Sequence, residues 1–117
     1  MASKGKQVTK YVLAARNDIL EIFKYIESHG SESIAQGLMA AIVNTCDFLA
    51  NYPDLGRRRT EYDDFGFEVR SITERGYLIL YIYFDAEVHI IRVIHGARDI
   101  NATMLYPLRD LKNERRN

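Results

Sequence analysis

The chain has 117 residues with 16 basic and 16 acidic side chains, so its formal net charge is zero and no global excess of positive charge marks a nucleic-acid binder. The length suits one domain with a single core. One cysteine, Cys46, excludes an internal disulfide framework and any multi-cysteine zinc site. No run approaches the roughly 18 apolar residues of a membrane span, and residues 1–6 lack a signal-peptide core, so a cytoplasmic protein with no membrane partner is expected.

Residues 1–7 are small, polar and basic, and read as a flexible N-terminus ahead of a domain over 8–100. Val8 to Leu13 is a short strand candidate. A helical row follows, with Ala15, Ile19, Ile22, Phe23 and Ile26 on one face and Asp18, Glu21, Lys24 and Glu27 on the wet side. Gly30 is a natural stop, and Ser31 can cap the next helix. That helix carries Ile34, Leu38, Ile42, Cys46 and Leu49 in a row, with Phe48 and Tyr52 alongside. Cys46 sits among these apolar positions as a core thiol. Small residues at Ala35, Gly37, Ala40 and Ala41 would let the second helix pack closely on the first. Pro53 ends it, because proline disfavours the helical state of the preceding residue.

Residues 54–66 are irregular, with Gly56, the run Arg57, Arg58, Arg59, and the acids Glu61, Asp63 and Asp64. The period then changes to that of strands: Phe67 to Ile72, Tyr77 to Phe84, and Val88 to His95, joined by turns at residues 73–76 and 85–86. Three consecutive strands in meander order pair antiparallel. The second helix, at about 1.5 Å per residue, and the last strand, at about 3.3 Å per residue, have similar lengths. The expected fold is therefore α+β: two layers in the order β-α-α-β-β-β, a helical hairpin on one face of an antiparallel sheet. Beyond Ile100 only Met104, Leu105 and Leu108 are apolar anchors, so residues 101–117 read as a short helix or a loose tail.

Strict alternation along the last strand puts Val88, Ile90, Arg92 and Ile94 on one face and His89, Ile91, Val93 and His95 on the other. With Ile91 and Val93 under the helices, Arg92 would point to an open face. Joined there by Arg70 and by tyrosines among Tyr77, Tyr81 and Tyr83, it would line a positive groove for an extended peptide or nucleic acid. The plainer alternative pairs Arg70 and Arg92 with Glu68 or Glu87 across the sheet.

Three segments, in order, resemble the RelE/ParE superfamily of bacterial type II toxins, in its ParE-like branch. Ala14 to Ile26 is similar to the family's first helix, and Tyr52-Pro53-Asp54-Leu55-Gly56-Arg57 to its Pro-x-x-Gly-Arg stretch. Most specific is Ile90-Ile91-Arg92-Val93-Ile94-His95-Gly96-Ala97-Arg98-Asp99, which resembles the ParE-like ending Arg-Val-(Leu/Ile)-His-Gly-x-Arg-Asp. Arg70-Ser71 and Tyr77-Leu78-Ile79 also fit.

The resemblance implies a cognate antitoxin whose C-terminal segment, disordered when free, folds over the toxin, with operator DNA reached only through that antitoxin. It implies no cofactor and no metal. ParE-like members bind DNA gyrase and block it, which needs a surface and no catalytic set. RelE-like members cut messenger RNA on the ribosome, which needs a base, an acid and cations for the phosphorane charge. The positions matching the cutting set read Glu68 and Arg70, then Leu78, then Arg98, with Tyr106 near the place of a tail tyrosine. Leu78 cannot stabilise charge, and this ranks gyrase inhibition first. If the chain cuts RNA, Arg70, His95 and Arg98 would carry the catalysis; His95 could act as acid or base or be structural. The candidate antitoxin or target surface is Arg57, Arg58, Arg59, Arg70, Arg92, His95 and Arg98, with a solvated loop as the plainer reading of the arginine run. A toxin fold serving only as co-repressor with its antitoxin is a third class.

Overall fold

The computed structural model describes residues 8–96 and 98–115. The expected flexible segment 1–7, Ala97 of the His-Gly-Ala-Arg-Asp ending and positions 116–117 of the tail lie outside the described residues. The elements run β1 (Thr9–Tyr11), α1 (Leu13–His29), α2 (Glu32–Asn51), β2 (Arg57–Arg58), a 3-10 helix (Thr60–Phe65), β3 (Val69–Glu74), β4 (Tyr77–Phe84), β5 (Glu87–His95), a second 3-10 helix (Ala102–Leu105) and α3 (Tyr106–Arg115).

Local chemistry sets the helix ends. The Gly30 amide donates to the Ile26 carbonyl at 2.8 Å and closes α1. The Ser31 hydroxyl then accepts from the Ile34 amide at 3.1 Å and opens α2, satisfying one of the donors a helix start leaves free. The strands form one mixed sheet in the order β1-β5-β4-β3-β2, with β1 parallel to β5 and the other pairs antiparallel. Both turns of the meander are two residues long, Arg75-Gly76 and Asp85-Ala86, all at positive φ. That backbone twist matches the right-handed twist of the flanking strands.

The hairpin α1–α2 covers one face, where Ala15, Leu38, Ile42, Cys46 and Leu49 meet Ile79, Tyr81, Val88, Ile90 and Val93. The Thr9 hydroxyl donates to the Cys46 carbonyl at 2.7 Å and ties β1 to α2. By length and a mean hydropathy of 1.3, α2 could cross a membrane; its apolar row is instead spent on this core, with six residues from Ala35 to Ala50 buried. The same α+β arrangement was expected from the sequence.

The other face is not open. Leu105 and Leu108, both fully buried, lay the C-terminal segment over Phe67, Val69, Leu80, Ile82, Ile91 and Ile94. The tail is therefore helical and part of the core, and it adds a partial third layer.

The face assignment also changes, and a β-bulge is the reason. Leu80 pairs with Arg92 and Tyr81 with Ile90, so Ile91 is an extra residue in β5. Val88 and Ile90 face the hairpin before the bulge, and Val93 faces it after. Ile91 and Ile94 face the C-terminal segment. In β4 the alternation holds, but Tyr77, Ile79 and Tyr81 pack on the hairpin side, and Tyr81 is fully buried there and lines no open groove.

Three smaller expectations are corrected. Asp18 is not on the wet side but sits largely buried against β5. Ile34, Phe48 and Tyr52 are more than half exposed, because α2 turns only its Leu38–Ile42–Cys46–Leu49 stripe to the sheet. Gly37 does not mediate close helix packing, since a Cβ there would meet nothing within 4 Å.

Candidate functional site

The Pro53–Arg57 stretch is a turn held from beneath by two side chains. The buried Tyr81 hydroxyl donates to the Pro53 carbonyl at 2.7 Å and accepts from the Gly56 amide at 2.8 Å. Burial is the main reason its pKa is raised. Arg70 donates to the carbonyls of Gly56 at 2.8 Å and Asp54 at 3.2 Å, and pairs with Glu68 at 2.7 Å. Only glycine fits at position 56: an added Cβ would lie 2.5 Å from the Tyr81 oxygen and 2.8 Å from the Ser71 carbonyl. The Arg70–Glu68 pair of the plainer alternative is thus present, and it braces this turn.

The three consecutive arginines separate. Arg57 and Arg58 form the exposed edge strand β2, paired with β3 at Ser71 and Arg70. Arg58 lies 3.4 Å from Asp63 and 3.9 Å from Glu68. Arg59 turns inward at the start of the first 3-10 helix, and its side chain is only 16% exposed.

Arg59 lines an open cleft of about 630 Å³ together with Glu61, Tyr62, Thr73, Gly76, Leu78, His95, Gly96, Arg98, Asp99 and Ile100. The cleft lies where the β3–β4 turn meets the end of β5. There the Gly96 amide donates to the Gly76 carbonyl at 2.7 Å. A Cβ on Gly96 would approach that carbonyl to 2.9 Å, so glycine allows the strand end to close. The His95 and Tyr77 rings meet edge to face, with centroids 5.3 Å apart. Burial raises the Tyr62 pKa, with Glu61 adding to the shift and Arg59 opposing it.

Of the residues singled out in the sequence, Arg59, His95 and Arg98 share this cleft, with Leu78 on its wall. Glu61, Tyr62, Thr73 and Asp99 also line it without having been candidate site residues; Asp99 closes the His-Gly-Ala-Arg-Asp ending, and Glu61 and Tyr62 fall in the irregular stretch 54–66.

Arg92 does not line a groove. Its Nε and one terminal nitrogen each donate to Asp18 at 2.7 Å, and the other terminal nitrogen donates to the Met104 carbonyl at 3.0 Å. Asp18 also accepts from the Val93 amide at 2.9 Å. The hydrogen bonds to Asp18 raise the Arg92 pKa against the opposing effect of burial. Tyr106 stands over this guanidinium, its ring centroid 5.9 Å away, and not in the cleft. Arg92 thus joins α1, the β5 bulge and the C-terminal segment. It pairs with neither Glu68 nor Glu87.

Among the described residues no cluster of three or more His, Cys, Asp or Glu side chains could hold a metal ion. The cleft therefore offers two guanidiniums, an imidazole, two carboxylates, a phenol and a hydroxyl. That set suits recognition of a polar ligand.

A family model described as the ParE toxin of the type II toxin-antitoxin system, parDE, matches residues 10–100. No curated protein matches the chain. A solved structure, the chromosomal ParDE TA system from P. aeruginosa, superposes with a TM-score of 0.64 at 17% identity, covering 79% of this chain and 98% of that one. At that identity the likeness is one of fold.

Proposed function

The chain belongs to the family of ParE toxins of type II toxin–antitoxin systems, and from that premise we propose that it arrests growth by binding and inhibiting DNA gyrase, and that a cognate antitoxin neutralises it. The observation that carries this reading is the state of two residues a ribonuclease would need. Leu78 lines the cleft at the position that matches a cation of the RNA-cutting members, and Arg70, which is not in the cleft lining, is engaged by Glu68 and two backbone carbonyls. Metal-free RNA cleavage needs base, acid and cations together. An inhibitor needs only a surface.

The exposed edge Arg57–Arg58 and the rigid turn before it provide such a surface. The antitoxin's masking segment is disordered when free and orders on binding, so part of its contact energy offsets the ordering cost. Operator DNA is reached through the antitoxin, and the pair acts in the cytoplasm.

The reading is tested by expressing the chain with and without its antitoxin in growing cells. Growth should stop without antitoxin, plasmid DNA should lose negative supercoils, and co-expression should restore both. Normal growth at verified soluble levels would refute the toxic reading. Ribosome-dependent messenger cleavage is the second reading, favoured by the presence of His95 and Arg98 in one cleft; loss of messages with supercoiling unchanged would select it.

A further inference from the structure

Helix α3 lies beyond the stretch 10–100 that matches the ParE toxin family, and it carries charges that the fold does not use. Asp110 and Glu114 stand one turn apart on one face of α3, where like charges repel. Glu114 also sits in the last turn of that helix, where the helix dipole disfavours an anion. Both residues are exposed. Among the described residues neither lies within ion-pair distance of a cation. Both features weaken α3, and no internal partner offsets them.

The two carboxylates border a groove of about 490 Å³ between α3 and the start of α1, a size within the roughly 300–1,000 Å³ of ligand pockets. Its apolar surface includes Leu13, 73% exposed, and Tyr106, 49% exposed, with Leu111 beside them. The α3 wall is fixed to the sheet: Leu108 is fully buried, and Arg92 donates to the Met104 carbonyl and lies under the Tyr106 ring. Across the groove, Val12 gives the first turn of α1 no side-chain cap, which leaves amides there open to an outside acceptor. A peptide suits all three parts. Its carbonyls meet the amides, one large apolar side chain meets Leu13 and Tyr106, and a neighbouring lysine or arginine meets the carboxylates. A nucleic-acid strand does not, since its phosphates would face Asp110 and Glu114.

We propose that this groove docks a short basic segment of the cognate antitoxin, with one large apolar side chain set between Leu13 and Tyr106 and a lysine or arginine on Asp110 and Glu114. The inference rests on the toxin–antitoxin reading. Because the α3 wall lies outside the residues matched to the family, the contact sets which antitoxin this chain accepts. Discrimination is a difference of affinities, and a relative without these two carboxylates offers a basic segment less. Charge pairing of this kind also speeds encounter and works against wrong partners.

The test is isothermal titration calorimetry of the full-length antitoxin encoded beside this chain against the full-length chain. Wild type is compared with Asp110→Asn combined with Glu114→Gln, with Leu13→Ser, and with Glu27→Gln, an exposed position on α1 that serves as the control. The neutralised pair should bind at least about ten-fold more weakly, as a lost charge-assisted contact implies. Leu13→Ser should weaken binding about three- to ten-fold through lost apolar contact, and the control should stay within about two-fold. Without antitoxin, the unfolding temperature of the neutralised pair should hold or rise, because a repulsion is removed. Binding as tight as wild type in the neutralised pair, or an equal loss in the control, would overturn the inference and leave the toxin reading standing. A lower unfolding temperature of the free neutralised pair would also overturn it, since the fold itself would then use the carboxylates. An antitoxin that does not bind the wild-type chain would sink both the reading and the inference.

Discussion

Replacing Asp18 with alanine should destabilise the protein by about 3 kcal/mol, the low end of what breaking a buried ion pair costs. The value follows from what Asp18 holds. Its carboxylate accepts three hydrogen bonds, two from Arg92 at 2.7 Å and one from the Val93 amide at 2.9 Å. Removing it leaves a buried guanidinium whose remaining bond is to the Met104 carbonyl. Both side chains retain some exposure, 15% for Arg92 and 14% for Asp18, which is why the low end applies. For a domain of this size that is a fall of about 10–15 °C in the unfolding midpoint. Arg92→Ala should cost a similar amount, and the double variant clearly less than the sum, with a coupling of about 2 kcal/mol. Urea unfolding followed by circular dichroism and tyrosine fluorescence measures the cycle; the chain has no tryptophan. A coupling below about 0.5 kcal/mol, the value of an exposed pair, would refute the assignment of Arg92 as an internal tie. It would return that residue to the surface.

Three further outcomes are expected. Burial is the chief cause pushing the Cys46 thiol up to about 11 from its ordinary 9.0. A folded pKa above the unfolded one gives a contribution that is complete below pH 9 and lost as pH rises towards 11. This thiol should therefore remove about 2–3 kcal/mol of stability across that window, beside the losses that begin near pH 10 from Tyr11, Tyr62 and Tyr81, whose pKa values are also raised. Cys46→Ala should lower the slope between pH 9 and 10 in urea melts taken at stepped pH; an unchanged slope there would show the thiol is not its source. Gly56→Ala should cost about 1–3 kcal/mol, because its Cβ would collide with the Tyr81 hydroxyl; thermal unfolding decides it, and a neutral result would mean the turn gives way freely. Ala86 holds φ 61° in the β4–β5 turn, so Ala86→Gly should raise stability by about 0.5–1 kcal/mol by relieving left-handed strain, and a loss on denaturant unfolding would contradict that.

Much of the fold was legible because its punctuation is explicit. Gly30, Ser31 and Pro53 bound the hairpin, and the β-branched and aromatic alternation from Tyr77 to His95 could only be strands. The bulge was not legible: Val88 to Ile94 alternates well enough to be read straight through, and one unpaired residue, Ile91, reverses the faces beyond it. The second core was hidden for a different reason. Its lid depends on Leu105 and Leu108 in an otherwise charged tail, too few apolar residues to signal a buried face. Those two errors created an open groove that does not exist and placed Arg92 in it. The cleft was half visible. His95 and Arg98 stood out at the strand end, but Arg59 looked like Arg57 and Arg58 until the 3-10 helix that follows turned it inward.

The claim on which the account turns is gyrase as the target. Purified full-length protein should inhibit supercoiling by DNA gyrase in a dose-dependent way, with equimolar cognate antitoxin restoring it, and should leave ribosome-bound messenger RNA intact. Cleavage of that message with supercoiling unimpaired would contradict the account and make the His95–Arg98 cleft a catalytic one.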